Sequence, residues 1–311
     1  MCGIAGIIHR GKSANIGAQM TSMLQALKHR GPDSTGYAVY GAGNPEDYVM
    51  RLKIAEAQDL GRGSGVRDLL DARIEKIDAI LEQHGAKVKS KERVRPYALR
   101  YVMAHEGDTA ALAEHIEEVE GVEILSLGNS LELIKDLGDA SVVAEAYGLQ
   151  EFSGTHGIGH TRMATESDVD IKSAHPYWAF PYNDVSVVHN GQITNYWSLR
   201  RELERKGHRF QSNCDSELLA VYVAHGLANG VSLEDILRKS IEEIDGVFTY
   251  FVATKDQLGM AKDTMAAKPL VLYEGDDMIA LASEEVAIRA ILPQEIDTYD
   301  PYDEEVRVWQ V

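Results

Sequence analysis

Apolar residues change their spacing several times along the chain, and each change marks an element. The opening MCGIAGII sets Ile4, Ile7 and Ile8 in a short β-branched run, which predicts a buried strand over Cys2–Ile8. Ile16, Met20, Met23, Leu24 and Leu27 then recur near every 3.6 residues and predict a helix over Ile16–Lys28. Arg30-Gly31-Pro32-Asp33 is turn chemistry, and Gly36–Tyr40 reads as a second strand. From Asn44 to Leu149 the chain becomes charged and helix-rich. An amphipathic stripe (Leu69, Leu70, Ile74, Ile77, Ile80, Leu81) predicts a helix over Val66–Gln83, and YALRYVMAH, TAALAEHIEEVEG and VEILSLG read as strand, helix and strand. Beyond Gly154, GTHGIGHTRMATE is a glycine-spaced strand. DVSVVHNGQITN is a strand running into His-Asn-Gly, a turn signal. Tyr196–Lys206 and Asp215–Ala228 read as helices. GVFTYFVAT, LGMAKD, PLVLYEG and DMIALAS read as short strands at meander spacing. Strands at both ends with helices between predict a layered α+β sandwich carrying an inserted, helix-rich α/β subdomain.

Composition narrows this picture by exclusion. The 311 residues are 44% hydrophobic and 26% charged, as in an ordinary globular protein. A formal net charge of −18 argues against nucleic acid and anionic membrane as partners. Two cysteines, Cys2 and Cys214, are too few for a disulfide framework, and no apolar run is long enough to span a membrane. With no basic leader or long apolar segment at the start, a cytoplasmic location is expected. No His/Cys spacing matches a zinc site, so no metal is expected.

Two stretches offer candidate chemistry. Gly6 to Ser13 (GIIHRGKS) fits the phosphate-cradling G-x-x-x-x-G-K-[ST] pattern, but no strand ending in a metal-binding Asp completes a nucleotide site, and an exposed basic turn explains it as well. Cys2 could be a small buried residue at a strand start. It gains meaning from its address. Removal of Met1 would leave a thiol and a free α-amine on one residue, and such an amine titrates near 7.7–8.0, low enough to accept the thiol proton at neutral pH. A thiolate attacking an amide needs donors for the oxyanion, and the Asn190 amide with the Gly191 backbone N–H offers them. Arg162 can fork onto a substrate carboxylate and Asp215 can pair with an ammonium, although each alone also reads as a surface ion-pair partner. His160, His175 and His189 sit in the same segments, and Cys214 reads as structural.

The segments MCGIAGI, HRGPDSTG, GHTRMAT, HPYW, VHNGQITN, CDSELLA and GVFTYFVA occur together and in this order. The set resembles the class II (PurF-type, N-terminal nucleophile) glutamine amidotransferase domain, over about Met1–Gly41 and Gly154–Val286. The resemblance implies a four-layer αββα fold, with residues 1–43 and 150–311 forming the amidotransferase domain and 44–149 inserted. It implies hydrolysis of glutamine to glutamate and ammonia. Cys2 would be the nucleophile, Asn190 and Gly191 the oxyanion hole, Arg162 the carboxylate anchor and Asp215 the ammonium anchor. Thr165 would lie in the glutamine-covering loop, and Arg30 and Gly31 would support the N-terminal residue. Sugar-phosphate-making relatives carry Trp and His where this chain has Met163 and Glu166, so loop closure is expected to differ. The insertion and its flanks look most like the stand-alone amidotransferase subunit of split, archaeal-type glutamate synthases and N-methylglutamate synthases. That likeness implies a separate ammonia-using synthase subunit, with FMN and iron–sulfur clusters confined to the partners and no cofactor in this chain, which ends at Val311 without room for a synthase. A non-catalytic regulatory or assembly subunit of an N-methylglutamate synthase-type complex is the alternative, with a P-loop nucleotide binder as a third. Whether the insertion docks a partner or another copy in a homo-oligomer stays open.

Overall fold

The computed structural model describes residues 2–41, 43–60, 65–163 and 171–311. Its centre is a pair of stacked antiparallel sheets. The first runs β13 (Val271–Glu274), β14 (Met278–Ala282), β1 (Gly3–His9), β8 (His156–Arg162), β2 (Ser34–Tyr40) and β7 (Leu131–Leu137). The second runs β15 (Val306–Gln310), β12 (Gln257–Lys262), β11 (Gly246–Ala253), β10 (Ser186–Ile193) and β9 (Tyr177–Trp178). Ile4, Ile8, Ala38 and Ile158 of the first sheet bury themselves against Val188, Phe251 and Met260 of the second. Every position of β1, β2 and β8 is buried, because these strands are covered on both faces.

Helices complete the outer layers. α1 (Ile16–Ala26), α5 (Ala140–Tyr147) and the short α9 (Glu285–Arg289) cover the first sheet, their Met20, Met23, Leu24, Val143 and Ile288 meeting Ile7, Tyr37 and Ile134. α7 (Asp215–Ala228) and α8 (Leu233–Glu243) cover the second, with α6 (Tyr196–Arg205) packed on α7. Local chemistry sets the ends. Asn15 Oδ1 accepts from Ala18 N–H at 3.0 Å to cap α1, and Ser232 Oγ accepts from Asp235 N–H at 3.1 Å to cap α8. The result is the expected four-layer αββα sandwich.

The middle of the chain forms a third antiparallel sheet, in the order β4 (Lys87–Arg95), β5 (Ala98–Ala104), β3 (Tyr48–Lys53) and β6 (Glu123–Gly128). It is covered by α3 (Val66–Gln83) and α4 (Thr109–Glu117); α2 (Ala57–Leu60) joins β3 to this layer. This sheet spans 48–128 only. The expected 44–149 insertion is therefore too long, since β7 pairs with β2 in the first sheet and α5 packs on it. The charges of LELIKDL disguise a core strand: Glu132 is buried between Arg51 (2.6 Å) and Arg100 (2.8 Å), which ties the third sheet to the first. The Asp184 carboxylate fixes the return, accepting from the N–H groups of Asn129, Ser130 and Leu131 at 2.8–3.1 Å. The four late strands also do not meander through one sheet. β11 and β12 stay in the second, while β13 and β14 cross to the first and seat β14 beside β1. Among the described residues no helix is long and apolar enough to cross a membrane.

Candidate active site

Cys2 lies just ahead of β1, half-buried, with its carbonyl held by two side chains. Arg30 Nε donates to that oxygen at 2.9 Å and Asn190 Nδ2 donates to it at 3.2 Å. The Cys2 thiol lies 3.9 Å from the Met163 carbonyl at the end of β8. Arg30 sits in a single 3-10 turn after α1 and is itself anchored by Glu284 at 2.5 Å. Ser283 next to it accepts from Ile4 N–H at 2.9 Å and from Asn190 Nδ2 at 3.5 Å. Ser283 and Glu284 thus brace both the arginine and the asparagine that hold Cys2. Sequence reasoning missed both, because nothing local in ASEE separates them from an ordinary strand-to-helix junction.

Asn190 and Gly191 do not form a turn, contrary to the His-Asn-Gly signal. β10 continues through them to Ile193, paired with β11 from Ser186–Ala253 to Ile193–Gly246. Tertiary pairing overrides the local preference, and glycine is required for another reason. Gly191 has φ +148°, and a Cβ there would lie 2.0 Å from the Val247 carbonyl oxygen. The Asn190 Oδ1 atom is buried with no hydrogen-bond partner.

Arg162 ends β8, buried, beside the Arg30-Gly31 turn. Its carbonyl accepts from Asp33 N–H at 3.1 Å, and Gly31 packs so tightly on it that a Cβ would come within 2.4 Å of the Arg162 carbonyl carbon. Asp215 opens α7 and reaches back to β10, accepting from Ile193 N–H at 3.1 Å. Burial works to raise its carboxyl, but His189 at 3.6 Å, the Ile193 N–H and the Ser216 hydroxyl hold it below the usual carboxylate range. A buried chain continues from there. Ser216 Oγ lies 2.9 Å from His189 Nδ1 and 2.6 Å from His175 Nε2, and His175 stacks on His160 with ring centres 4.1 Å apart. Burial pushes His160 down to about 3 and His175 well below its ordinary value, so both are neutral imidazoles.

The structure thus brings Cys2, Arg30, Gly31, Arg162, Asn190 and Gly191 together at the adjoining ends of β1, β8 and β10, with Asp215 tied to the end of β10. Thr165 and Glu166 lie outside the described residues. Cys214 is partly buried; burial pushes its thiol up and the neighbouring Asp215 carboxylate adds to that. The phosphate-loop reading of Gly6–Ser13 fails. Gly6 is inside β1, paired with Ile158 and Leu281, and Lys12 spends its ammonium on Asp277 at 2.8 Å at the surface. Among the described residues no group of three His, Cys, Asp or Glu side chains is arranged to hold a metal ion.

Comparison with known proteins points the same way. The family model described as a glutamine amidotransferase domain matches residues 160–290. A protein of Methanothermobacter thermautotrophicus, provisionally named a glutamine amidotransferase, is 40% identical over 315 residues, covering 100% of both chains. The glutamine amidotransferase-like protein GlxB of Rhizobium meliloti is 31% identical over 312 residues, covering 100% of this chain and 95% of its own. The solved glutamine phosphoribosylpyrophosphate amidotransferase of B. subtilis shares the fold, with a TM-score of 0.60 at 17% identity over 99% of this chain and 47% of its own.

Proposed function

The chain belongs to the class II glutamine amidotransferases and is an enzyme of that type, and from this premise we propose that Cys2, freed of Met1, is its nucleophile. The observation that carries the reading is the double hold on the Cys2 carbonyl by Arg30 and Asn190, which sets the Asn190 amide beside the thiol-bearing residue. In the proposed reaction the sulfur attacks the side-chain amide carbon of glutamine while the α-amine takes the thiol proton. Asn190 and Gly191 stabilise the oxyanion; the proton passes to the leaving nitrogen and ammonia departs. Water then cleaves the γ-glutamyl thioester to glutamate and free Cys2. Arg162 anchors the substrate carboxylate and Asp215, held ionised, its ammonium. Thr165 belongs to the glutamine-covering loop by resemblance, and Arg30 and Gly31 support Cys2.

The ammonia is passed to a separate synthase subunit of the glutamate synthase or N-methylglutamate synthase type, which carries the FMN and iron–sulfur centres. The resemblance of the 44–149 region and its flanks to stand-alone amidotransferase subunits supports this assignment. Treatment of the purified chain with a glutamine-mimicking electrophile, followed by intact-mass and peptide analysis, tests the catalytic assignment. The expected result is a chain lacking Met1 and carrying one adduct on Cys2. A trimmed chain that takes no label would favour the non-catalytic assembly role instead. Co-purification of the native complex and identification of its other chains tests the partner.

A further inference from the structure

Asp215 is held from two sides. Its Oδ2 accepts from the Ile193 N–H at 3.1 Å, and its Oδ1 faces the Ser216 hydroxyl at 3.3 Å. Ser216 follows it in the first turn of α7 and is buried. A buried hydroxyl has to be matched contact by contact, because a polar group left unmet away from water is costly.

Ser216 Oγ has three polar side-chain neighbours among the described residues: Asp215 Oδ1, His189 Nδ1 at 2.9 Å and His175 Nε2 at 2.6 Å. A serine hydroxyl offers one proton and two lone pairs, and an ionised carboxylate only accepts. Donation from Ser216 to either ring would leave its lone pairs facing the Asp215 oxygen. One assignment matches all three contacts. The hydroxyl donates to Asp215 Oδ1, and both rings donate an N–H to the hydroxyl oxygen. His189 Nδ1 also lies 3.6 Å from Asp215 Oδ1, where a bare ring nitrogen would be repelled by the carboxylate. The assignment therefore puts a proton on Nε2 of His175 and on Nδ1 of His189.

Both rings are fixed by the sheets. His189 lies in β10, paired with Tyr250 of β11, and immediately precedes Asn190. His175 stacks on His160 of β8 with ring centres 4.1 Å apart and meets Tyr177 of β9 edge-on at 5.1 Å. Ser216 thus joins α7 to the strand that carries Asn190 and Gly191, and its own proton is left for Asp215.

We propose that Ser216 is a positioning residue for recognition of the substrate ammonium: its hydroxyl, oriented by His175 and His189, holds the Asp215 carboxylate in the arrangement that meets the ammonium. The inference rests on Asp215 as the ammonium anchor and adds the three side chains that aim it. Calorimetric titration of the full chain with L-glutamate and with glutarate, which has two carboxylates and no ammonium, tests it. The wild type is expected to prefer L-glutamate. In Ser216→Ala, L-glutamate binding is expected to weaken about tenfold, the loss of one hydrogen bond to a charged group, with glutarate binding changed less than about twofold. Equal weakening for both ligands, or a preference for L-glutamate as large as that of the wild type, would overturn the role of Ser216. A wild type that binds the two ligands equally would instead remove Asp215 as the anchor, the premise itself. Imidazole 15N shifts of the wild type supply a reading that does not depend on the variant's folding. Protonated nitrogens are expected at His175 Nε2 and His189 Nδ1, and a bare nitrogen at either position would overturn the inference.

Discussion

Cys2 and Cys214 are both half-buried and each stands one residue ahead of a regular element, yet their neighbours hold different parts of them. At Cys2 the backbone is gripped, by Arg30 and Asn190 on the carbonyl, while among the described residues the thiol's hydrogen-bond contact is the Met163 carbonyl at 3.9 Å. At Cys214 the thiol is enclosed: it packs with the core beneath α7, lies 3.8 Å from the Asp215 carboxylate and is pushed up by burial. A fixed backbone with an available sulfur is the arrangement of a reagent. An enclosed sulfur beside a negative charge is the arrangement of a packing residue, because both influences oppose the thiolate. The residue type is shared, and the difference lies wholly in what the surrounding elements fix.

The sharpest way to break this contrast is Cys2→Ala. Glutamine-dependent ammonia release is expected to vanish, because no other group at the site forms the thioester. Unchanged ammonia release by that variant would end the mechanism. Next in size is Asn190→Ala. Loss of one oxyanion donor is expected to lower kcat about 10²–10³-fold. Because Asn190 also holds the Cys2 carbonyl, the variant's melting temperature should be checked in parallel, and a kcat within a few-fold of wild type would remove Asn190 from the oxyanion hole.

How much of this was legible before the structure depends on the kind of residue. Val66–Gln83 forms the helix its spacing predicts, since it presents a continuous apolar face, and Asp215–Ala228 is the expected helix buried over most of its surface. α8 was missed although Ser232 caps it and Ile236, Leu237 and Ser240 line one side. β7 was missed because Glu132 and Lys135 look like surface residues, and only their partners Arg51, Arg100 and Glu123, up to 81 positions away, let them be buried. At the site, the motif segments name Cys2, Arg162, Asn190 and Asp215. Ser283 lies 93 residues from Asn190 and 279 from Ile4, and Glu284 lies 254 from Arg30, and no local pattern records those distances. Residues that touch through the fold are legible in one sequence only when a family motif names them.

Strand β8, which runs beside β1, also carries an acid liability. Burial holds His160 at about 3 and, further along β8, His156 at about 4, against about 6.5 in an unfolded chain. Below pH 6.5 the unfolded chain binds these protons and the folded one does not. The stability they contribute is therefore complete above pH 6.5 and lost as pH falls towards their folded values. Each imidazole should cost about 1.4 kcal/mol per pH unit across that range. Denaturant midpoints at pH 7, 6 and 5 are expected to fall, and more gently in His160→Gln. Parallel pH profiles for the two proteins would show that His160 takes up no net proton on unfolding.

The smallest expected effect is the most discriminating for the contrast between the thiols. Cys214→Ala removes a sulfur that touches Asp215 only weakly, and leaves Asp215 its Ile193 N–H, Ser216 and His189 partners. Trimming one buried heavy atom beside α7 should cost about 1 kcal/mol of stability. The value of kcat should stay at that of the wild type, because the nucleophile and its oxyanion donor are untouched. The KM for glutamine is the sensitive reading, since any relaxation at position 214 reaches Asp215 first. A small rise in KM with kcat intact would agree with Asp215 as ammonium anchor and Cys214 as its packing neighbour. A collapse of kcat comparable to that of Cys2→Ala would mean that the second thiol takes part in the chemistry, and the distinction drawn between the two cysteines would fall.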